Sequence, residues 1–417
     1  MNIPSLAQFI RPNDHIVWGQ ASGEPTPLTR ALVEQRREIG PLSVFVGVSF
    51  AQTLKPEHVD MISIKSYGAL GSTRELALAG ILEILPIHAS QLSAAIERGS
   101  IGCDVAMIQL SRLGPNGRRS FGSINDYIRA AIRRARVVIV EVNDRLPWTY
   151  GPELPELERV AFSIESSRPL ALLEGKAPTD VERAIASHAS CLIEDGATLQ
   201  AGIGATVDAV LQCLGSRRNL GVHSGYVGDG IFDLIQKGAV TNGHKPINTG
   251  VTIAGGLFGG DALLKAADTN RLFEVHPYEY THDAGVLAKI PNLVAINSAI
   301  EVDVTGQVNA EVANGRYLGA VGGQVDFMHA AARAPQGCSI ITLPATARGG
   351  TVSRITHSVE AVTCARSEVD FVVTEFGAAE LRGRTLRERI RKMIEIAHPD
   401  FKETLARAAH ERLAKGC

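Results

Sequence analysis

The stretch from Leu192 to Gly230 reads LIEDGATLQAGIGATVDAVLQCLGSRRNLGVHSGYVGDG. It predicts a short strand over 198–201, a tight glycine turn over 202–204, a helix from about Thr206 and a second strand over 220–223, because apolar residues recur at helical spacing between the two strands. A Gly-x-Gly turn ahead of a helix lets a backbone approach a phosphate-bearing ligand, and the helix N-terminus favours negative charge. The same turn is equally typical of any strand–helix connection in an α/β protein.

Strands and helices alternate along the rest of the chain, which predicts open α/β sheets. Apolar runs predict buried strands at 42–48, 62–67, 83–87, 103–109, 137–142, 251–254, 293–297, 339–343 and 371–374. Helices are predicted over 90–98, 126–136, 179–190 and 385–395, turns over 113–117 and 255–260, and a surface loop over 332–338. We place a domain boundary near Lys176 and expect two similar α/β domains, 1–176 and 177–417, that face one another across a cleft.

Composition narrows the class of protein. The chain has 417 residues, 45% of them apolar and 21% charged, which is typical of a globular protein of two domains. A net charge of −2 gives no reason to expect nucleic acid or an acidic membrane as a partner. No apolar run approaches the roughly 18 residues that span a bilayer, and the N-terminus lacks the pattern of a secretory signal. The six cysteines lack metal-site spacing, so we expect no metal and a cytoplasmic location.

Several motifs occur in one order and together resemble a known family. They are GATLQAGIG, a strand ending in His-Ser, INSAIEVDVTGQVNAE, GAVGGQVDF, GGTVSRI and VVTEFGAAELRGRTLRERI. This set resembles the acetyl-CoA hydrolase/transferase family, class I CoA-transferases that include 4-hydroxybutyrate and succinyl-CoA:acetate CoA-transferases. The resemblance runs from about Gly19 to about Phe401. It implies two facing CoA-transferase domains, an acyl-CoA substrate, a carboxylate acceptor where CoA is transferred, and a homodimer or larger homo-oligomer.

The resemblance also implies where coenzyme A binds. The residues that match the family's CoA-binding loop, its adenosyl-side residue, its thioester-oxygen glycines and its phosphate-binding cation are Gly202, Ile203, Gly204, Ala205, Thr206, Ile300, Gly322, Gly323 and Arg348. A backbone N–H of the glycine pair would lie at the thioester oxygen, where it would act as a catalytic donor. Without the family context, each of these residues would be an ordinary turn or loop residue.

One position departs from the family. The family's nucleophile is a glutamate, which attacks the thioester and forms an enzyme–CoA thioester, and this chain has Gly225 in its place. Glu375 matches a family glutamate that supports the nucleophile. His223, His276 and His282 are candidates for a general base, and the family typically has an asparagine at or near His282. Gly225 and Tyr226 together suggest a substrate pocket that has been remodelled.

Three functions remain open on the sequence. The first is a hydrolase in which Glu375 or a histidine activates water. The second is a CoA-transferase in which another group makes the attack. The third is a non-catalytic acyl-CoA-binding protein that has kept the cleft. The retained glycine pair, Glu375 and Arg348 favour an enzyme that acts on the thioester of a small acyl-CoA, and they name neither the acyl group nor the acceptor.

We predict that Arg348→Ala weakens the binding of CoA. Loss of one charged hydrogen bond to a phosphate should cost roughly 1.5–3 kcal/mol of binding free energy. Isothermal titration of CoA into the parent and the variant measures the difference. Equal dissociation constants would mean that the phosphates bind elsewhere.

Overall fold

The structure is a computed structural model that describes residues 3–115, 117–154, 160–172 and 177–414. The turn residue Asn116 and the expected domain boundary at Lys176 lie outside the described residues. The division into 1–176 and 177–417 therefore stays a prediction. None of the described helices is long and apolar enough to cross a membrane.

The first half is built on a seven-stranded parallel sheet with the order β4-β3-β2-β1-β5-β6-β7. Its strands are β1 (His15–Trp18), β2 (Leu42–Phe45), β3 (Ile62–Ser66), β4 (Leu82–Ile84), β5 (Val105–Leu110), β6 (Val137–Asn143) and β7 (Val160–Ser166). Its helices are α1 (Thr26–Ile39), α2 (Thr73–Leu78), α3 (Ala89–Glu97) and α4 (Ile128–Arg134). β5 is buried along its whole length, as continuous apolar runs in parallel sheets require.

The second half contains an eight-stranded sheet with the order β11-β10-β9-β8-β12-β17-β21-β22, in which only the β21–β22 pair is antiparallel among the described residues. The strands of this half are β8 (Thr198–Ala201), β9 (Gly221–Val227), β10 (Thr252–Leu257), β11 (Phe273–Val275), β12 (Leu293–Ser298), β13 (Glu301–Asp303), β14 (Val308–Asn309), β15 (Val312–Ala313), β16 (Arg316–Tyr317), β17 (Cys338–Thr342), β18 (Thr346–Ala347), β19 (Val352–Ser353), β20 (Ile355–Thr356), β21 (Phe371–Thr374) and β22 (Gly377–Glu380). The short strands β13 to β16 and β18 to β20 form small sheets beside the large one.

The helices of the second half cover both faces of the large sheet. They are α5 (Asp180–Ser190), α6 (Ala205–Cys213), α7 (Asp229–Gln236), α8 (Asp261–Ala267), α9 (Tyr278–Thr281), α10 (Ala284–Leu287), α11 (Gln324–Arg333), α12 (Leu386–Glu395) and α13 (Pro399–Ala414). Capping boxes set the first residues of α5 and α12, where Thr179 pairs with Glu182 and Thr385 with Glu388. The predicted open α/β fold class is confirmed, and β8 and β21 have the predicted bounds.

Two sequence predictions of irregular segments had the wrong bounds. The glycine-rich segment 255–260 was expected to be a turn, but β10 continues through Leu257. A Cβ atom on Gly255 would lie 2.6 Å from the Gly225 carbonyl oxygen, so glycine serves close backbone approach there and does not mark a turn. The expected loop 332–338 is shorter, because α11 ends at Arg333 and β17 begins at Cys338.

Short backbone pairings connect the two halves. Single β-bridges connect Gly68 to Ala320, His88 to Gly322 and Ile124 to Gly256. The amide of Ala89 donates to the Gly322 carbonyl at 2.9 Å, so the first half contacts the glycine pair directly. These contacts leave a cleft at the carboxyl ends of both sheets, where open α/β folds bind their ligands.

Arg168→Ala should destabilise the first half. The Arg168 guanidinium donates to both carboxylate oxygens of Glu141 at 2.7 and 2.8 Å, and the Glu141 side chain is fully buried. The variant would leave a buried carboxylate without its cation, which costs about 3–5 kcal/mol of unfolding free energy. Urea unfolding measures the loss, and Arg407→Ala, in an exposed pair with Glu403, is the control with a change below about 1 kcal/mol. A loss as small as the control's would mean that Ser166, which also donates to Glu141, suffices.

Candidate active site

A cavity of about 690 Å³ lies between the two halves. Its volume is within the range of small-molecule sites, roughly 300–1,000 Å³. The second half contributes the ends of β8, β9 and β12, and the sheet order reverses direction between β8 and β12. The first half contributes Tyr67, Leu70, Arg74 and Ala89. The cavity is therefore at the topological switch point of the second sheet, closed by the first half.

Nine of the residues expected from the sequence line this cavity. They are Gly202, Ile203, Gly225, Tyr226, His282, Ile300, Gly322, Gly323 and Arg348. They come from six separate parts of the chain, between Gly202 and Arg348. The fold thus brings together the glycine turn after β8, the end of β9, the residue after α9, the residue before β13, the start of α11 and the β18–β19 hairpin.

Five expected residues do not form part of the cavity wall: Gly204, Ala205, Thr206, His223 and Glu375. The Thr206 hydroxyl is buried and shares a hydrogen bond with that of Thr342 at 2.9 Å. The Glu375 carboxylate accepts a hydrogen bond from the Ala345 amide at 2.8 Å. The roles expected for these five residues stay predictions.

His282 occupies the space in front of Gly225. A Cβ atom on Gly225 would lie 2.9 Å from both Cε1 and Nε2 of the imidazole. A Cβ atom on Gly323 would lie 2.3 Å from the same Nε2 atom. Real Cβ atoms do not approach other atoms so closely, so the ring fits between two residues only because both are glycine. The structure therefore places an imidazole nitrogen where a side chain at position 225 would begin.

The hydrogen bonds of His282 fit a tautomer with the hydrogen on Nδ1. The Nδ1 atom lies 2.8 Å from the Thr281 hydroxyl oxygen, and that oxygen lies 3.3 Å from the Pro277 carbonyl oxygen. When the hydroxyl donates its one proton to Pro277, Nδ1 carries the hydrogen and donates to Thr281. Nε2 is then the nitrogen with the free lone pair, and it faces Gly225 and Gly323. This is the arrangement that a general base needs.

Burial keeps the imidazole of His282 neutral. The residue is 3% exposed, and desolvation, followed by the nearby His223, lowers its pKa to about 3. The rings of Tyr278 and Phe327 pack edge-on against it with centroids at 4.5 and 4.8 Å. The ring is therefore neutral near pH 7, and the same burial makes it a weaker base than a free imidazole.

His223 does not reach the cavity. Its ring is fully buried behind β9, and Nε2 donates to the Thr281 carbonyl at 3.2 Å. Desolvation, then the charge of Lys245, lowers its pKa to about 3. Of the three histidines proposed from the sequence, His282 lines the cavity and His223 and His276 do not. His223 and Gly225 do share one face of β9, as alternation predicts, but the ring of His223 turns toward Thr281.

Several residues of the cavity wall were missed by the sequence analysis. Gln200 and Asn297, at the ends of β8 and β12, bond to one another, with Asn297 Nδ2 donating to Gln200 Oε1 at 2.9 Å. Their position at the ends of adjacent buried strands was the available signal. Arg354 also lines the cavity, and burial lowers its pKa while Glu375 opposes that shift. Phe327 and Tyr67 gave no signal, because an isolated aromatic residue is equally typical of a core.

Comparison with known proteins agrees with this geometry. The acetyl-CoA hydrolase/transferase N-terminal domain matches residues 1–164, and the C-terminal domain of the same family matches residues 259–409. The chain is 37% identical to the 4-hydroxybutyrate coenzyme A transferase of Clostridium kluyveri, over 95% of this chain and 94% of that protein. The chain belongs to the acetyl-CoA hydrolase/transferase family.

Two more comparisons support the assignment to this family. The succinyl-CoA:cyclohexane-1-carboxylate CoA transferase of Geobacter metallireducens is 33% identical over 97% of this chain and 93% of its own length. The crystal structure of RipA from Yersinia pestis superposes with a TM-score of 0.93, at 31% identity over 99% of this chain and 97% of that chain. The resemblance seen in the sequence motifs is confirmed. As a member of the acetyl-CoA hydrolase/transferase family, the protein is an acyl-CoA hydrolase or CoA-transferase.

The buried histidines should make folding depend on pH. The folded state keeps His282 neutral to about pH 3, whereas the unfolded chain protonates it below its ordinary pKa of 6.5. The unfolded state thus binds more protons, so stability is complete above about pH 6.5 and falls as the pH drops toward 3. At pH 5.5 the loss from this one ring is about 1.4 kcal/mol relative to pH 8. Urea unfolding of the parent and His282→Asn at both pH values should show that the variant loses less by this amount. Parallel pH dependences would contradict a neutral, buried His282.

Proposed function

We propose that this enzyme hydrolyses acyl-CoA thioesters, with Nε2 of His282 as the general base that activates water. The observation that carries the proposal is the imidazole between Gly225 and Gly323. The family resemblance implies that the position matching Gly225 holds, in other members, the glutamate that attacks the thioester. Here a neutral base occupies that space, and a base without a nucleophilic carboxylate suits attack by water.

The thioester carbonyl would lie between His282 and the start of α11. Backbone N–H groups at the first turn of a helix are not paired within it, and the helix dipole favours negative charge there. Gly323 precedes α11 and lines the cavity, so its surroundings suit the oxygen that becomes an oxyanion. The pantetheine chain would lie along Gly202 and Ile203, and the phosphates would lie near Arg348, as the family resemblance implies.

The reaction balances with water as the only co-substrate. His282 Nε2 takes a proton from water as the water oxygen bonds to the thioester carbon. The carbon–sulfur bond then breaks, the carboxylic acid forms, and the protonated imidazole returns its proton to the CoA thiolate. Thr281 holds the ring by accepting from Nδ1, so it is a positioning residue. Proton transfer by a positioned base contributes roughly 10²–10⁴-fold to a rate.

The direct test follows free thiol release from acetyl-, butyryl- and benzoyl-CoA without any carboxylate acceptor. Hydrolysis should occur without acceptor, and one atom of ¹⁸O from labelled water should enter the acid. His282→Asn should lower kcat/KM by about 10²-fold or more with a smaller change in KM. Release that requires acetate would support a CoA-transferase. Binding of CoA without turnover of any thioester would support the non-catalytic alternative.

A double variant tests whether His282 replaces the glutamate. Gly225→Glu alone should fail to gain CoA transfer, since its side chain would collide with the imidazole. Gly225→Glu combined with His282→Asn clears that space and should gain transfer to acetate while hydrolysis falls. Gly225→Gln with His282→Asn is the matched control, with the same shape and no carboxylate. If the single Gly225→Glu variant transfers as well as the double variant, His282 does not occupy the nucleophile's place.

Two further expectations belong to this proposal. We expect the enzyme to work in the cytoplasm and to assemble as a homodimer or larger homo-oligomer, as the sequence and the family resemblance suggested. Light scattering on the purified protein tests the assembly. Glu375 is expected to act through Arg354, whose pKa it affects and which lines the cavity.

A further inference from the structure

A hydrogen-bonded cluster of three tyrosines and one glutamine lies beside His282. We call Gln20, Tyr67, Tyr226 and Tyr278 the tyrosine cluster. Gln20 follows β1 and Tyr67 follows β3, whereas Tyr226 is in β9 and Tyr278 begins α9. Tyr67 and Tyr226 line the cavity, and the Tyr278 ring packs against the imidazole of His282. The cluster therefore borders the end of the cavity where the acyl group would lie.

The backbone fixes the orientation of the Gln20 amide. The Val48 N–H donates to Gln20 Oε1 at 2.9 Å, and a backbone N–H can only donate. Oε1 must therefore face Val48, which turns Nε2 toward the Tyr278 hydroxyl at 2.7 Å. Gln20 Nε2 is the donor in that contact, and the Tyr278 oxygen is the acceptor.

This orientation of Gln20 determines where the hydroxyl protons of the three tyrosines go. Tyr278 is 1% exposed, so its own proton goes to its other partner, the Tyr226 oxygen at 2.5 Å. Tyr67 donates its proton to Gln20 Oε1 at 2.9 Å, which fills the second lone pair of that oxygen. Burial raises the pKa of all three tyrosines, so they stay neutral donors. Neither Gln20 nor Tyr278 accepts the proton of the Tyr226 hydroxyl, so that proton is left for another acceptor.

The surroundings of this end are aromatic and apolar. Tyr226 stacks on Phe258 with centroids at 4.3 Å, and Phe327 and Ala89 lie 3.6 Å from the Cβ positions of Gly225 and Gly323 respectively. In the described part of the first half, the charged residue of the cavity wall is Arg74, whose exposed guanidinium donates to the Leu318 carbonyl at 2.8 Å. A carboxylate brought among these rings would lose its hydration, which is costly for a charged group.

We propose that the Tyr226 hydroxyl donates a hydrogen bond to an oxygen of the acyl group, so that the site selects uncharged acyl-CoA thioesters that carry a hydroxyl or keto oxygen. This inference rests on the proposed function only for the position of the acyl group beside His282. The competing acceptor is the Tyr67 oxygen, which also borders Tyr226. A proton held by Tyr67 would leave the acyl end without a donor and without this preference.

Binding of non-hydrolysable thioethers tests the inference without requiring turnover. The probes are S-butyl-CoA, S-(3-hydroxybutyl)-CoA, S-(4-hydroxybutyl)-CoA and S-(3-carboxypropyl)-CoA, titrated calorimetrically into the full-length parent. The better of the two hydroxylated probes should bind about 3- to 10-fold more tightly than S-butyl-CoA, the range for one net hydrogen bond. The carboxylated probe should bind most weakly. Equal binding of the butyl and hydroxybutyl probes, or tightest binding of the carboxylated one, would overturn the inference.

Tyr226→Phe identifies the donor. The variant should bring the ratio between hydroxylated and unsubstituted probes close to one, because it removes the hydroxyl and keeps the ring. Tyr150→Phe, whose ring packs on Trp148 outside the cavity, is the matched control and should keep the parent's ratio. A ratio that persists in Tyr226→Phe would assign the selection to another residue. The comparison in the parent stands even if the variant does not fold. If the probes bind as expected but no thioester is hydrolysed, the proposed function fails while the selection of acyl groups stands.

Discussion

The site depends on one packing constraint, the imidazole of His282 held between Gly225 and Gly323. A Cβ atom on either glycine would come within 2.9 Å of the ring, so a side chain at either position requires the imidazole to move. The glycine at position 225 opens the space that the imidazole fills, and burial keeps that ring neutral.

The second half supplies all three of these residues, and the first half packs against them. Gly225 comes from β9, His282 follows α9 and Gly323 precedes α11. The first half packs against the glycine pair through the Ala89 amide, which donates to Gly322, and Ala89 itself lines the cavity. Each half therefore supports a site that neither sheet forms alone. Both halves present the carboxyl ends of their parallel strands to the same space, which is where such folds place chemistry.

Polar groups behind the site are paired in a definite direction. The Val48 amide orients Gln20, Gln20 donates to Tyr278, and Tyr278 donates to Tyr226. This order follows from burial, since a buried hydroxyl has to give its proton to a neighbour. The Val48 amide therefore sets the direction of hydrogen bonding as far as the Tyr226 hydroxyl at the cavity wall. The proposed chemistry at His282 and the proposed recognition of the acyl group thus rest on two sets of contacts that meet at Tyr278.

The sequence by itself determined the α/β class, most strand positions and the family, because periodicity and ordered motifs are local properties of the chain. It also predicted Gly225 as a departure from the family and His282 as one of three candidate bases. Only the tertiary structure separated His282 from His223. Both histidines are buried, but one faces the cavity between two glycines and the other bonds to the Thr281 carbonyl. Likewise, the sequence predicted a turn at Gly255, whereas the structure places this glycine against the Gly225 carbonyl oxygen. Contacts between segments distant in sequence leave no local pattern, so the direction of a ring and the reason for a glycine were decided only by packing.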